Sequence, residues 1–161
     1  MAVRTSAGIL LYRLDGSGPE GLEVLLAHQG GPYFERKDLG DWTIPKGEPD
    51  DVDEPLADVA RREFAEETGT ILDPAAPSVE LGTIVQKGGK VVHGWAVEGD
   101  LDPATAHSNE VEIEWPPRSG RRRPFPEIDR VAWFDPDEAR RRIKATQIPF
   151  IDRLEDVLRR R

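Results

Sequence analysis

Residues 47–70 read GEPDDVDEPLADVARREFAEETGT. A helix is expected from near Glu54 to Thr68. Pro55 suits the first helical position, where a missing N–H costs nothing. Asp51 or Asp53 is the expected cap, and Gly69 the expected left-handed terminator. At about 100° per residue, Leu56, Val59 and Ala60 share one face, and Glu63, Glu66 and Glu67 continue it. The stripe begins apolar and ends acidic. Such an end is either solvated or neutralised. Acidic groups near a helix C-terminus oppose the macrodipole. Like charges three and four residues apart repel by about 0.2–0.5 kcal/mol per pair. A hard divalent cation such as Mg2+ relieves both, because it takes carboxylate oxygens. Periodicity alone leaves both readings open.

The flanking segments set this helix among strands. TSAGILLYRL and LEVLLAHQ, separated by DGSGPEG, give a hairpin signal. GDWTIPKGEPDD reads as a short strand entering a loop. SVELGTIVQKGGKVVHGWAVEGDL reads as two or three strands with KGGK as a tight turn. EVEIEW alternates acidic and apolar residues, as a half-buried strand does. PPRSGRRRP reads as a turn or flap, and DRVAWF as another strand. In DPDEARRRIKA, Asp135 caps and Pro136 starts a helix. In IPFIDRLEDVLRRR, Ile151, Leu154, Val157 and Leu158 share one face. The two RRR runs read as solvated helix faces. The expected class is α/β, a mixed sheet flanked by helices, with residues 1–161 as one domain.

The chain carries a net charge of −9 with 33% charged residues. An acidic chain repels a phosphate backbone, which argues against general nucleic-acid binding. An anionic substrate then needs a metal ion or a few placed cations. The chain has no cysteine, so thiolate chemistry is excluded. His28, His93 and His107 show no paired spacing, which argues against zinc. No apolar run approaches the roughly 20 residues of a membrane span. A cytoplasmic protein is the expectation.

The 47–70 stretch resembles the Nudix box, Gly-x5-Glu-x7-Arg-Glu-U-x-Glu-Glu-x-Gly-U, where U is a bulky aliphatic. Gly47, Glu54, Arg62, Glu63, Glu66, Glu67 and Gly69 match it, with Phe64 at the first U. Six residues, not five, separate Gly47 from Glu54, which reads as a one-residue loop insertion. Thr70 replaces the last aliphatic. The resemblance implies an α/β/α sandwich and hydrolysis of a nucleoside diphosphate linked to another moiety, with Mg2+ or Mn2+. It implies Glu66 and Glu67 as central metal ligands, Glu63 as ligand or general base, and the Lys46 carbonyl facing the metal. It implies that Arg62 orients Glu63, with Glu54 bracing that arrangement. Many family members use a further glutamate on a later strand. Glu127, six residues before Trp133, is the candidate, with Glu110, Glu112 and Glu114 as rivals that also read as an exposed strand face.

Lys87 and Lys90 flank a turn and are candidates for phosphate contact, or a solvated tip. Arg121 and Arg122, with Arg118 and Arg123, form either a mobile turn or a flap that grips polyphosphate. Tyr33, Phe34, Trp42 and Trp95 are candidates for base stacking or for the core. A small-molecule nucleotide is the expected partner. WTIPKGE and the chain length resemble dinucleoside polyphosphate hydrolases. A nucleoside triphosphatase, a diphosphoinositol phosphatase, an RNA 5′-end pyrophosphohydrolase and a non-enzymatic nucleotide sensor stay open.

Overall fold

The computed structural model describes residues 3–161. TSAGILLYRL forms β1 (Thr5–Leu14). Its run of apolar residues is buried on both faces, the pattern of a central strand. Ala7, Ile9 and Leu11 point to one core, and Leu10 and Tyr12 to the other. β2 (Leu22–Gln29) follows, antiparallel to β1. β5 (Ser78–Val85) and β6 (Val91–Glu98) form the second hairpin, and β6 lies parallel to β1 from Thr5↔Val91 to Tyr12↔Glu98. β9 (Ile128–Phe134) pairs with the outer edge of β2.

β1 and β2 pair only at Tyr12–Leu14 with Leu22–Val24, and then diverge. Two short strands fill the opening. β3 (Trp42–Thr43) pairs with β2 at Ala27 and His28, and β4 (Lys46–Gly47) pairs with β1 at Ala7 and Gly8. The divergence therefore places the start of the 47–70 stretch inside the sheet.

Helices cover both faces. α1 (Leu56–Thr68) packs Val59, Ala60 and Phe64 on Ala7, Ile9 and Leu11. α2 (Pro136–Arg142) and α3 (Ile148–Arg159) cover the opposite face, with Phe150, Ile151, Leu154 and Leu158 buried there. Val157 is only half-buried, and Phe150 completes the stripe. Asp135 accepts from the Glu138 N–H at 2.8 Å and caps α2. Arg140 ion-pairs with Asp152 and Glu155 on α3, and Arg142 with Glu138 and Asp38. The 140–142 run is thus a tie between elements rather than a free solvated face.

Two details at α1 differ from the sequence expectation. Pro55 occupies the N-cap position and no side chain caps the helix. Asp51 instead accepts from the Asp53 N–H, closing a local turn, and the Glu54 carboxylate accepts from the Asp50 N–H. Short polar side chains favour such local bonds over capping when the loop holds them off the helix axis.

β7 (Glu110–Glu114) and β8 (Arg122–Pro126) form a separate two-stranded hairpin. Glu110, Glu112 and Glu114 lie on its exposed face, while Val111 and Ile113 are half-buried. No described helix is long and apolar enough to cross a membrane.

Candidate active site

The acidic end of α1 lies against β4. Glu63 and Glu67 are buried, at 8% and 3% exposure, whereas Glu66 is exposed. The expectation that all three share the inward face therefore holds for two. Glu66 lies roughly 60° around the helix from Glu63, on the side away from Phe64 and Thr68, which are buried.

Arg62 organises this end. Its Nε and a terminal nitrogen donate to both oxygens of Glu54 at 3.0 and 2.9 Å. The other terminal nitrogen donates to Glu63 at 2.9 Å and reaches Glu66 at 3.4 Å. The paired bonds to Glu54 fix the plane of the guanidinium. They are also the main reason that Arg62 is held more firmly protonated, and Glu54 more firmly ionised, than usual.

Gly47 lies beneath Glu63. A Cβ at that position would collide with the Glu63 carboxylate, so only a bare Cα lets that group in. Gly69 has φ 76°, ends α1, and is covered by the His107 ring.

The Lys46 N–H donates to Glu67 at 3.1 Å. One such bond does not offset the burial of a carboxylate beside others. Burial, then Glu127, then Glu63 push Glu67 up to about 9. Burial and Glu66 push Glu63 upward, and Arg62 opposes them. The Lys46 ammonium is pushed down to about 8 by burial, then by Lys90 and Lys144, while Glu67 and Glu127 act the other way.

Backbone bonds bring Glu127 to this place. Its N–H donates to the Asn109 carbonyl, and its own carbonyl accepts from Gly30 N–H, both at 2.9 Å. Asn109 and His107 in turn donate to the Glu66 and Thr68 carbonyls at the end of α1. The 107–109 segment thus caps α1 and carries Glu127 beside it. Glu110, Glu112 and Glu114 stay outside, on the hairpin.

Lys90 is half-buried and lies 3.7 Å from Glu48. Lys87 is exposed at the β5–β6 turn. Arg121 and Arg122 are exposed on the β7–β8 hairpin, where one Arg122 nitrogen donates to the Glu112 carbonyl at 3.3 Å. Trp42 is core, edge-on to His28 and Phe134. Tyr33 is exposed and edge-on to Trp115, and Trp95 stacks near His93.

Glu63, Glu66, Glu67 and Glu127 offer only oxygen, the donor type that Mg2+ and Mn2+ take. Two of them are driven toward protonation by burial and then by neighbouring carboxylates, and a divalent cation would relieve that. The chemistry of the donor set therefore fits such an ion. As the side chains stand, no three acidic or histidine groups among the described residues converge on one point. Glu63 is turned to Arg62, and Glu67 to the Lys46 N–H.

Nothing in the local sequence marks Asn109 or His107, which act through backbone groups, or Lys144. The family model of the NUDIX domain matches residues 3–154. The chain belongs to the NUDIX family, the class of hydrolases that act on phosphoanhydrides. No curated protein matches it. The fold is similar to that of the Caenorhabditis elegans Ap4A hydrolase in a binary complex, at 19% identity, covering 97% of this chain and 99% of that one, with a TM-score of 0.64. It is similar to the NUDIX domain of Shewanella oneidensis NrtR complexed with ADP ribose, at 18% identity, 98% and 90% coverage, and a TM-score of 0.63. NrtR complexed with a 27mer DNA matches at 17% identity and a TM-score of 0.58, over 97% of this chain and 62% of that one. These likenesses show the fold. The expectation against nucleic acid draws no support from these comparisons, since the last of those relatives was solved with DNA.

Proposed function

We propose that this chain is a Mg2+- or Mn2+-dependent pyrophosphohydrolase of a nucleoside diphosphate-linked substrate, with a dinucleoside polyphosphate or a nucleoside triphosphate favoured. The observation that carries this reading is the buried pair Glu63 and Glu67, with Arg62 locked onto Glu63 by Glu54. Glu63, Glu66, Glu67 and Glu127 would hold the ion. When bound, it supplies charge neutralisation and activated water for attack at phosphorus.

The chain's own residues do the rest. Arg62 keeps Glu63 in one orientation, so that Glu63 accepts a proton from water without first reorganising. Lys46, Lys87 and Lys90 line the approach for phosphate oxygens. Arg121 and Arg122 extend from the hairpin as longer-range cations. Substrate positioning and fixed charge supply most of the rate in reactions of this kind.

Purified protein with Mg2+ is to be offered diadenosine polyphosphates, nucleoside triphosphates, ADP-ribose and capped RNA, with products identified. Turnover of a phosphoanhydride is expected. Glu66→Gln is expected to abolish it with an unchanged circular dichroism spectrum, because Glu66 is exposed and supports no packing. Near-normal turnover in that variant removes Glu66 from the metal site. A second reading is a nucleotide sensor that binds without turnover. Its support is the likeness to the NrtR domain solved with ADP ribose, and it predicts binding with no product.

A further inference from the structure

A cavity of about 530 Å³ opens beside Lys144, a residue close enough to Lys46 for their charges to repel. Asp41, Gln86, Lys87, Arg141, Lys144 and Thr146 are among its lining residues, with Ile143 and Ile148 beneath them. They come from three segments: the loop before β3, the β5–β6 turn, and the end of α2 with its connection into α3. A buried side chain pins these segments together. The Gln147 amide donates to Thr43 at 2.9 Å and to Gln86 at 3.1 Å, and its oxygen accepts from Ile44 N–H at 3.0 Å. The Lys144 N–H donates to the Trp42 carbonyl at 2.8 Å. The cavity is thus preformed, and its volume suits a nucleotide-sized group.

Its charge is unusual for so acidic a chain. Arg140 and Arg141 on its wall are paired with carboxylates. Among the described residues, Lys144 and Lys87 have no carboxylate within 4.0 Å. Lys144 is half-buried, and burial is the main reason that its ammonium is held below the usual range; Asp41 acts the other way, and Lys90 adds a smaller repulsion. Lys46, Lys90 and Lys144 share one neighbourhood, and Lys46 also feels Glu67 and Glu127. Lys46, bonded to Glu67 through its N–H, is thus near both the buried glutamates and the lysines Lys90 and Lys144, the latter on the cavity wall. Partly desolvated like charges are unfavourable until an anion joins them.

We propose that this cavity is a second subsite, in which Lys144 and Lys87 grip the distal phosphates of an oligophosphate substrate whose reacting bond lies at the end of α1. The placement of that bond rests on the hydrolase reading above. The subsite itself rests on the cavity and its unpaired lysines. A substrate with four phosphates reaches past Lys46 and engages them, whereas ADP-ribose, with two, offers them no phosphate.

Two measurements test this. Metal-free protein is titrated calorimetrically with inorganic tripolyphosphate, and kcat/KM is compared for diadenosine tetraphosphate and ADP-ribose. Lys144→Ala is expected to weaken tripolyphosphate binding about tenfold, in line with the loss of a charged hydrogen bond. The preference for diadenosine tetraphosphate over ADP-ribose is expected to fall by the same factor. Lys144→Arg, which keeps the charge, is expected to stay within about threefold of the parent in both. Lys87→Ala, at an exposed turn where folding is not at stake, is expected to weaken binding about threefold. Tripolyphosphate affinity unchanged in Lys144→Ala and Lys87→Ala overturns the subsite. Weakened binding with an unchanged substrate preference overturns its role in the substrate. If the parent protein turns over no substrate, the hydrolase reading fails, and the tripolyphosphate titration still decides the subsite.

Discussion

The end of α1 and the strand β7 are both rich in glutamate, and the fold treats them in opposite ways. On β7 the glutamates recur every second residue, so Glu110, Glu112 and Glu114 all face water while Val111 and Ile113 turn inward. On α1 the spacing is three and four, so Glu63 and Glu67 follow Val59 and Ala60 into the interior, and only Glu66 escapes. The same side chain is thus a solubilising group in one place and a stressed, reactive one in the other. The period of the backbone makes the difference, not the residue type.

The strongest way to sharpen this contrast is Glu67→Gln. The substitution keeps shape and removes the charge that a metal ion requires. Turnover is expected to fall by more than about 100-fold, the upper end for residues that merely support a metal ligand. Steady-state kinetics over a range of Mg2+ concentrations measures it, and full activity at saturating Mg2+ breaks the contrast.

Gly47→Ala attacks the same site through the backbone. The new methyl group displaces the Glu63 carboxylate, at an expected cost of about 1–3 kcal/mol, as for overpacking elsewhere. Urea denaturation reads the stability. A fall in kcat is expected alongside it.

A third measurement uses pH. Without metal, folded Glu67 keeps its proton up to about pH 9, whereas the unfolded chain loses it near 4.5. Between these values the folded state binds the extra proton, so stability falls as pH rises, by at most about 1.4 kcal/mol per pH unit from this group. Lys46, pushed down to about 8, contributes the opposite slope only above that pH. Urea midpoints in EDTA from about pH 5.5 to 8 are expected to decline more steeply for the parent than for Glu67→Gln. Equal slopes would mean that Glu67 is not buried as described. The smallest effect belongs to β7. Glu112→Gln is expected to change stability by no more than about 0.5 kcal/mol, and activity not at all.

Much of this arrangement was legible in the sequence because it is local. The helical period, Gly69, the Asp135 cap and the strand alternation at 110–114 each depend on neighbours within a few residues. The spacing of Gly47, Glu54 and Arg62 was legible as a motif, though not the contact that makes Gly47 small. What the sequence hid is non-local. Nothing in residues 107–109 announces that their N–H groups close the end of α1. Nothing in IKATQ shows that Gln147 ties β3 to the β5–β6 turn, or that Lys144 comes to rest near Lys46. Arg140 read as solvated because its partners, Asp152 and Glu155, belong to another helix.

The parallel pairing of β1 with β6 bears on how the chain is made. During synthesis β1 finds its full central neighbour only when Glu98 has been added. At about 5–20 residues per second, that is a wait of roughly 4 to 17 seconds. Through that interval the nascent Thr5–Leu14 segment has an oily, unmated flank, so synthesis is the stage at which this strand is most open to pairing with the wrong partner.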